Sequence, residues 1–330
     1  MKSFKYCFNK DEPVEDLVSI VTPVYNGAGY LHHILDSILH STWPFLELIL
    51  VDDGSEDNTV QIAESYRPLF DERRIRYRIL KEEHVNASHA VNAGLKYVTG
   101  EYLIWPDADD ELRADSIEKR VIYLKEHPEY QGVRSFYMTI DETTGLQRSN
   151  VEKNDVPIEK NLFFPIIEGR TYVSCGCYML RSKAFFAEYP DREIPISDFG
   201  QNYQMLLPFC YHNECFTIEE ELYIVHRRSD SHSNMAVSTR ERRMRRHEER
   251  VDLLKEMIKI CHMENSAEKK RIYINCVQEA WNLTVRYGEK KKALKFYFRQ
   301  WRMGIGWKRW MRITKDLIYI MLFRWRKEQE

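Results

Sequence analysis

Two apolar runs in the first third of the chain end in acid. Leu46 to Val51 stops at Asp52-Asp53-Gly54-Ser55, and Tyr102 to Trp105 passes one proline into Asp107-Ala108-Asp109-Asp110-Glu111. Short runs of this kind read as strands buried on both faces, the usual state of strands in a parallel sheet. Side chains of extended backbone repeat every two residues, so Asp107 and Asp109 leave their strand on one side. Two carboxylates placed this way form a hard-oxygen site suited to Mg²⁺ or Mn²⁺, and such ions in turn bind diphosphates. The plain structural alternative is the first turn of a helix, which acidic residues also stabilise.

The surrounding sequence decides between these readings. Leu17 to Tyr25 is a further buried strand, ending in the turn signal Asn26-Gly27-Ala28-Gly29. Tyr30 to Leu39 has helical spacing at Leu31, Ile34, Leu35 and Ile38, and Asp57-Asn58 can cap a helix over Thr59 to Tyr66. Ile75 to Leu80 predicts a third strand, placed at a sheet edge by Arg76 and Arg78; Ala87 to Val98 is helical and stops before Gly100. Strand alternating with helix implies an α/β fold, a doubly wound and mostly parallel sheet flanked by helices. The strands of such a sheet open their C-terminal ends on one edge, where ligands bind. Asp52-Asp53 and Asp107-Asp109 should therefore converge on one site. Asn26-Gly27-Ala28-Gly29-Tyr30-Leu31 lacks the third glycine of a dinucleotide-binding turn, and no Gly-Lys-Ser/Thr occurs, so a phosphate must be held by metal.

After Leu112 the pattern turns mixed. Ala114 to His127 reads as a helix, and Gly132 to Ile140 and Leu146 to Ser149 as strands around the turn Glu142-Thr143-Thr144-Gly145. Tyr172 to Leu180 is a strand, Ser182 to Glu188 and Tyr203 to Tyr211 are helices, and Phe216 to His226 is a strand. From Ser238 the chain is helical, with no proline after Pro208. The expected organisation is a catalytic domain over 1–237, split into a donor half (1–112) and an acceptor half (113–237), followed by a helical extension over 238–330.

Charge divides along the same line. From Arg240 onward there are about 25 Lys and Arg against about 12 Asp and Glu, within a net charge of −2 for the chain. Met1 to Asp16 is polar, and no apolar run approaches the length that crosses a bilayer, so the expected location is cytoplasmic. The seven cysteines are then free thiols, with Cys175-Gly176-Cys177 a buried trio of small residues.

The chain resembles the family-2 glycosyltransferases of GT-A fold, which use nucleoside-diphosphate sugars. The resemblance rests on Val18-Ser19-Ile20-Val21-Thr22-Pro23-Val24-Tyr25-Asn26, Leu50-Val51-Asp52-Asp53-Gly54-Ser55, Asn92-Ala93-Gly94-Leu95, Gly100-Glu101-Tyr102 and Asp107-Ala108-Asp109-Asp110, in the family's order and spacing. It implies that Thr22, Pro23 and Tyr25 line a base pocket and that Asp52 or Asp53 accepts from a base, uracil above all. It further implies that His89 and Asn92 face ribose or phosphate, that Asp107 sits near the ribose, and that Asp109 binds the metal. The implied reaction is inverting transfer to a saccharide or lipid-linked hydroxyl in bacterial polysaccharide assembly. The family's general base lies in a Glu-Asp pair, but this chain carries the amides Gln201 and Asn202, and Asp198 is the nearest carboxylate. In His226-Arg227-Arg228-Ser229-Asp230-Ser231-His232-Ser233, His226 or His232 would join the metal and Arg228 the diphosphate.

Two other readings compete. The amides at 201 and 202 suit a non-catalytic nucleotide-sugar-binding protein. A nucleotidyltransferase would carry a cation in the glycine turn after the first strand, where this chain has none. No nucleic-acid partner is expected. Within 304–327, Trp307, Trp310, Met311, Thr314, Leu317, Ile318, Met321, Leu322 and Trp325 recur at helical spacing, flanked by lysines and arginines. Such a helix either packs on protein or lies on an anionic membrane surface, here the inner face of the cytoplasmic membrane.

Overall fold

A computed structural model describes residues 12–150, 159–228, 239–304 and 306–322. The chain divides into two compact units, residues 1–228 and 229–330. The expected boundary between 237 and 238, like His232 and Trp325, lies outside the described residues.

The first unit opens with the alternation its sequence calls for: β1 (Val14–Val24), α1 (Leu31–Leu39), β2 (Leu46–Asp52), α2 (Thr59–Ser65), α3 (Arg67–Glu72), β3 (Arg76–Lys81), α4 (Ala87–Leu95) and β4 (Gly100–Ile104). These strands lie side by side and parallel in the order β3-β2-β1-β4, with β3 at the edge. Every residue of β2 is buried, including Glu47 and Asp52 among its apolar residues. The helix α3 departs from the single helix expected between β2 and β3. Pro68 stands in its first turn, where a missing N–H leaves no bond unmade. Register pairs Val24 with Asp52 and Asp52 with Lys81, so β1, β2 and β3 end together. At the opposite end of the sheet the buried Glu47 is satisfied by the Ser19 hydroxyl, by both donors of Thr99 and by the Gly100 N–H.

The unit continues through β5 (Glu111–Leu112), α5 (Ser116–Glu126), β6 (Gly132–Asp141), β7 (Gln147–Ser149), α6 (Phe163–Ile167), β8 (Tyr178–Arg181), α7 (Ser182–Glu188), α8 (Asn202–His212) and β9 (Cys215–Arg227). One sheet holds the nine strands found among the described residues, in the order β3-β2-β1-β4-β8-β6-β9-β5, with β7 paired to β6. Here antiparallel pairs (β4 with β8, β8 with β6, β9 with β5) mix with the parallel pair β6 and β9. The expected strand Tyr172–Leu180 is shorter, because Cys175–Cys177 forms a 3₁₀ turn before β8. Gly176 lies so close to the Tyr223 ring that an added Cβ would overlap it, which excludes a side chain there. Cys175 and Cys177 are buried free thiols.

The second unit holds α9 (Arg240–Ile260), α10 (Ser266–Arg286), α11 (Lys290–Arg302) and α12 (Trp307–Leu322). Thr239 and Asn265 cap the first two, accepting the N–H of Arg242 at 3.3 Å and of Ala267 at 2.9 Å. Trp281, Ala293 and Ile313 form one buried cluster within it, with Tyr297 and Leu317 packed against them. The amphipathic stripe of the tail therefore divides. Thr314 bonds Tyr297 at 2.9 Å and Leu317 packs inward, whereas Trp307 (72% exposed), Met311 and Ile318 face outward. On α11, Leu294, Phe298 and Trp301 are exposed at steps of four and three residues, a single helical stripe. No helix among the described residues is long and apolar enough to cross a membrane.

Candidate active site

The C-terminal ends of β1, β2 and β3 carry turns that are tied to each other. Asn26 adopts a positive φ and its side chain accepts the Glu56 N–H at 2.9 Å; Ser55, Thr59 and Asp57 accept the N–H groups of Asn26, Gly27 and Ala28. Gly54 also has a positive φ, and a Cβ there would lie 2.8 Å from the backbone nitrogen of His84. This close approach sets His84, just beyond β3, against the turn after β2. The buried Asp53 accepts from His84 Nδ1 at 2.8 Å and from the Val85 N–H at 3.1 Å. The His84 ring stacks on Tyr25, 3.9 Å between centroids and 13° from parallel. Asp52 is separate: its carboxylate accepts the Ser55 N–H at 3.3 Å inside the turn.

Beyond β4 the three aspartates are held by different partners. Gln201 Nε2 donates to Asp107 at 3.4 Å, and the Cys175 thiol lies against the same carboxylate. Tyr223 donates its O–H to Asp110 at 2.7 Å, and the His226 N–H donates to the other Asp110 oxygen at 3.0 Å. Arg228 reaches Asp109 at 3.0 Å while its guanidinium covers the Tyr30 ring at 3.8 Å. Burial, then the Asp109 charge, pushes Asp107 up to about 6. Asp109 is raised by burial against the pull of Arg228, and Asp110 is raised well above the carboxylate range by burial and both neighbours. Crowded, half-buried carboxylate oxygens with surplus negative charge are a donor set that fits Mg²⁺ or Mn²⁺.

Both the sequence and the fold match known proteins. A family model described as Glycosyl transferase family 2 covers residues 19–188, more than half of the chain. The chain belongs to that family. It is 35% identical over 191 residues to an uncharacterized glycosyltransferase of Rickettsia felis, a match over 54% of this chain and 29% of that protein. Its fold is that of S. aureus TarS in complex with UDP-GlcNAc, with a TM-score of 0.62 at 19% identity over 92% of this chain and 81% of that one. The mannosyltransferase PcManGT from Pyrobaculum calidifontis, in complex with GDP-Man and Mn²⁺, aligns with a TM-score of 0.50 at 15% identity, over 92% and 86%. Likeness at these identities establishes a GT-A fold.

The residues singled out from sequence fall into three groups. Tyr25, half-buried Pro23 and Asp53 gather at the turn edge; Thr22 is buried beneath them with its hydroxyl unbonded. Asp107, Asp109 and Arg228 gather at the acid cluster, and Gln201 joins them. Of the others, Asn92, Asp198, Asn202 and His226 pair with different groups. Both ends of the Asn92 amide pair with the backbone of Ile194 at 2.8 Å, so Asn92 anchors the following loop. His89 is half-buried, with Nδ1 enclosed and unbonded. Asp198 is exposed and accepts from Asn86 at 3.0 Å. Asn202 accepts from Trp105 at 3.2 Å. The His226 ring contacts Glu111 and Glu142. His84 escaped the sequence reading, although the third parallel strand had to end on the same edge and its following residues were due the same scrutiny.

Proposed function

We propose that this chain is an inverting, metal-dependent glycosyltransferase that moves a sugar from a UDP-sugar to a hydroxyl of a saccharide or lipid-linked acceptor in cell-surface polysaccharide synthesis. The observation that carries the donor choice is the ring of His84. A planar heterocycle lies on Tyr25 and presents an N–H to Asp53. Uracil offers the same two features, a π-face and one ring N–H beside its carbonyls. The complexes of the similar proteins with UDP-GlcNAc and with GDP-Man and Mn²⁺ support a nucleotide-sugar donor.

In this reading Asp107 and Asp109 hold Mg²⁺ or Mn²⁺, with Arg228 on the diphosphate in place of its present bond to Asp109. The ion supplies charge neutralisation for the departing diphosphate. Asp198, on the loop before α8, takes the proton of the acceptor hydroxyl. That oxygen then forms its bond to the anomeric carbon as the bond to the diphosphate breaks, inverting the centre. Gln201 orients Asp107 through its amide. The exposed apolar stripes of α11 and α12, set among lysines and arginines, suit an anionic bilayer surface and would bring the enzyme to a lipid-linked acceptor. A screen of nucleotide sugars against the purified chain, with and without Mn²⁺, reading released nucleoside diphosphate, tests the proposal. Donor binding without release would make it a binding protein.

A further inference from the structure

Beside the acid cluster, but sharing none of its three aspartates, two imidazoles stand face to face between two glutamates. His33 of α1 and His226 of β9 stack with 4.2 Å between centroids and 22° between planes. Glu111 Oε1 lies 3.0 Å from His33 Nδ1 and 2.8 Å from His226 Nε2. On the other side Glu142 Oε1 lies 3.1 Å from His226 Nδ1 and 3.6 Å from His33 Nε2. All four ring nitrogens thus face a carboxylate oxygen.

Hydrogen atoms alone serve this arrangement badly. A neutral imidazole has one N–H and one lone pair, so four N–H donors require two imidazolium rings. Those two like charges would be stacked at 4.2 Å. If each ring instead gives its single N–H to Glu111, the lone pairs of His33 Nε2 and His226 Nδ1 converge with the Glu142 oxygen. Three lone pairs with no hydrogen between them call for a cation.

We propose that His33, His226 and Glu142 bind a zinc-class divalent transition metal, with Glu111 fixing both imidazoles from behind. Zinc bonds of about 2.0–2.1 Å in a tetrahedron separate ligand atoms by about 3.3–3.4 Å, and the spacings of 3.1 and 3.6 Å from Glu142 bracket that value. Two imidazoles with one carboxylate select a borderline metal, in contrast to the all-oxygen set at Asp107 and Asp109. A carboxylate behind each ligating histidine is the usual support of such a site, and Glu111 serves both rings at once. The elements are held in place independently. The Glu142 N–H bonds the Arg227 carbonyl at 3.1 Å, and the His226 N–H is held by Asp110. A metal here ties α1, β9 and the turn after β6 together. Two residues along from its members stand Asp109, before Glu111, and Arg228, after His226. The site thus positions the flanks of the donor site, and it does not depend on the donor reading.

The test is Co²⁺ titration of the full chain after chelator treatment, read by the visible absorption of the bound ion, with Zn²⁺ displacing it. Wild type and Asp109→Asn are expected to bind one Co²⁺ with the absorption of a nitrogen-ligated, low-coordinate site. His33→Gln and Glu142→Gln should each bind it at least tenfold more weakly. Zn²⁺ should raise the Tm of wild type and Asp109→Asn but not of the two ligand variants. Glu142 lies on a turn, so its substitution keeps the test valid if His33→Gln fails to fold. Three results overturn the proposal: no Co²⁺ absorption in wild type, unchanged affinity in Glu142→Gln, or loss of the bound ion in Asp109→Asn.

Discussion

The imidazole of His84 lies flat on the phenol ring of Tyr25 and reaches Asp53 with Nδ1, the two contacts proposed above for the nucleobase. A side chain in that position competes with its ligand, because the binding-competent fraction of the protein is reduced. His84→Ala should therefore tighten UDP about two- to tenfold, and Asp53→Ala should weaken UDP even without metal. Isothermal titration of UDP in the presence of a chelator measures both. Weaker binding by His84→Ala would make His84 a wall of the pocket and not its occupant.

Asp109→Ala should remove the dependence of UDP affinity on Mn²⁺, because the diphosphate charge then lacks a shared ion. Titrations with and without Mn²⁺ check this. Equal Mn²⁺ enhancement in the variant would take Asp109 out of the metal site.

Asp107 also ties stability to pH. Its pKa in the fold, raised to about 6, lies above the unfolded value of 3.8, so the folded state holds more protons in that window. Stability contributed by this group is therefore greatest at low pH and falls as pH rises from about 4 to 6. Asp107→Asn should be the more stable protein at pH 7.5 without metal, by on the order of 1 to 2 kcal/mol, with the difference shrinking at pH 5. Urea unfolding at the two pH values in chelator reads this difference. A constant gap would show that the carboxylate does not titrate there.

Asp198→Asn should lower transfer about 10²-fold while leaving UDP affinity unchanged, the behaviour of a lost general base. Steady-state kinetics with a working donor and acceptor decide it. Activity that survives in this variant but fails in Gln201→Ala would move the base elsewhere.

On the tail, a Trp301→Ser, Trp307→Ser double variant of the full chain should lose flotation with vesicles of anionic lipid, and salt should weaken the wild type likewise. A wild-type chain that stays unbound at low salt would leave those faces for protein contacts.

Much of the first half was legible in the residues alone. Largely apolar runs define β1, β2 and β4, and alternation with helices makes them parallel, so the acidic ends of β2 and β4 had to meet at one edge. Only the strand end, and not the partner, can be read this way. Asp52 and Asp53 are neighbours of equal chemistry, yet one closes a turn and the other faces His84. That difference comes from the positive φ of Gly54 and the approach of the chain after β3. The tail's stripe likewise reads as one apolar face in sequence, but Trp281, Ala293 and Ile313 accommodate only part of it.

What the sequence determined by itself was the order of strands and helices, the edge where the acids collect, and the charge contrast between the chain before Arg240 and the tail. These depend on local periodicity and on chain connectivity. Tertiary structure alone decided how polar side chains are paired. Asn92 holds Ile194 from 102 residues away, and Glu111 meets His33 and His226 across 78 and 115 residues. No local pattern encodes such meetings, because each polar atom bonds whichever group the packed sheet delivers within about 3 Å.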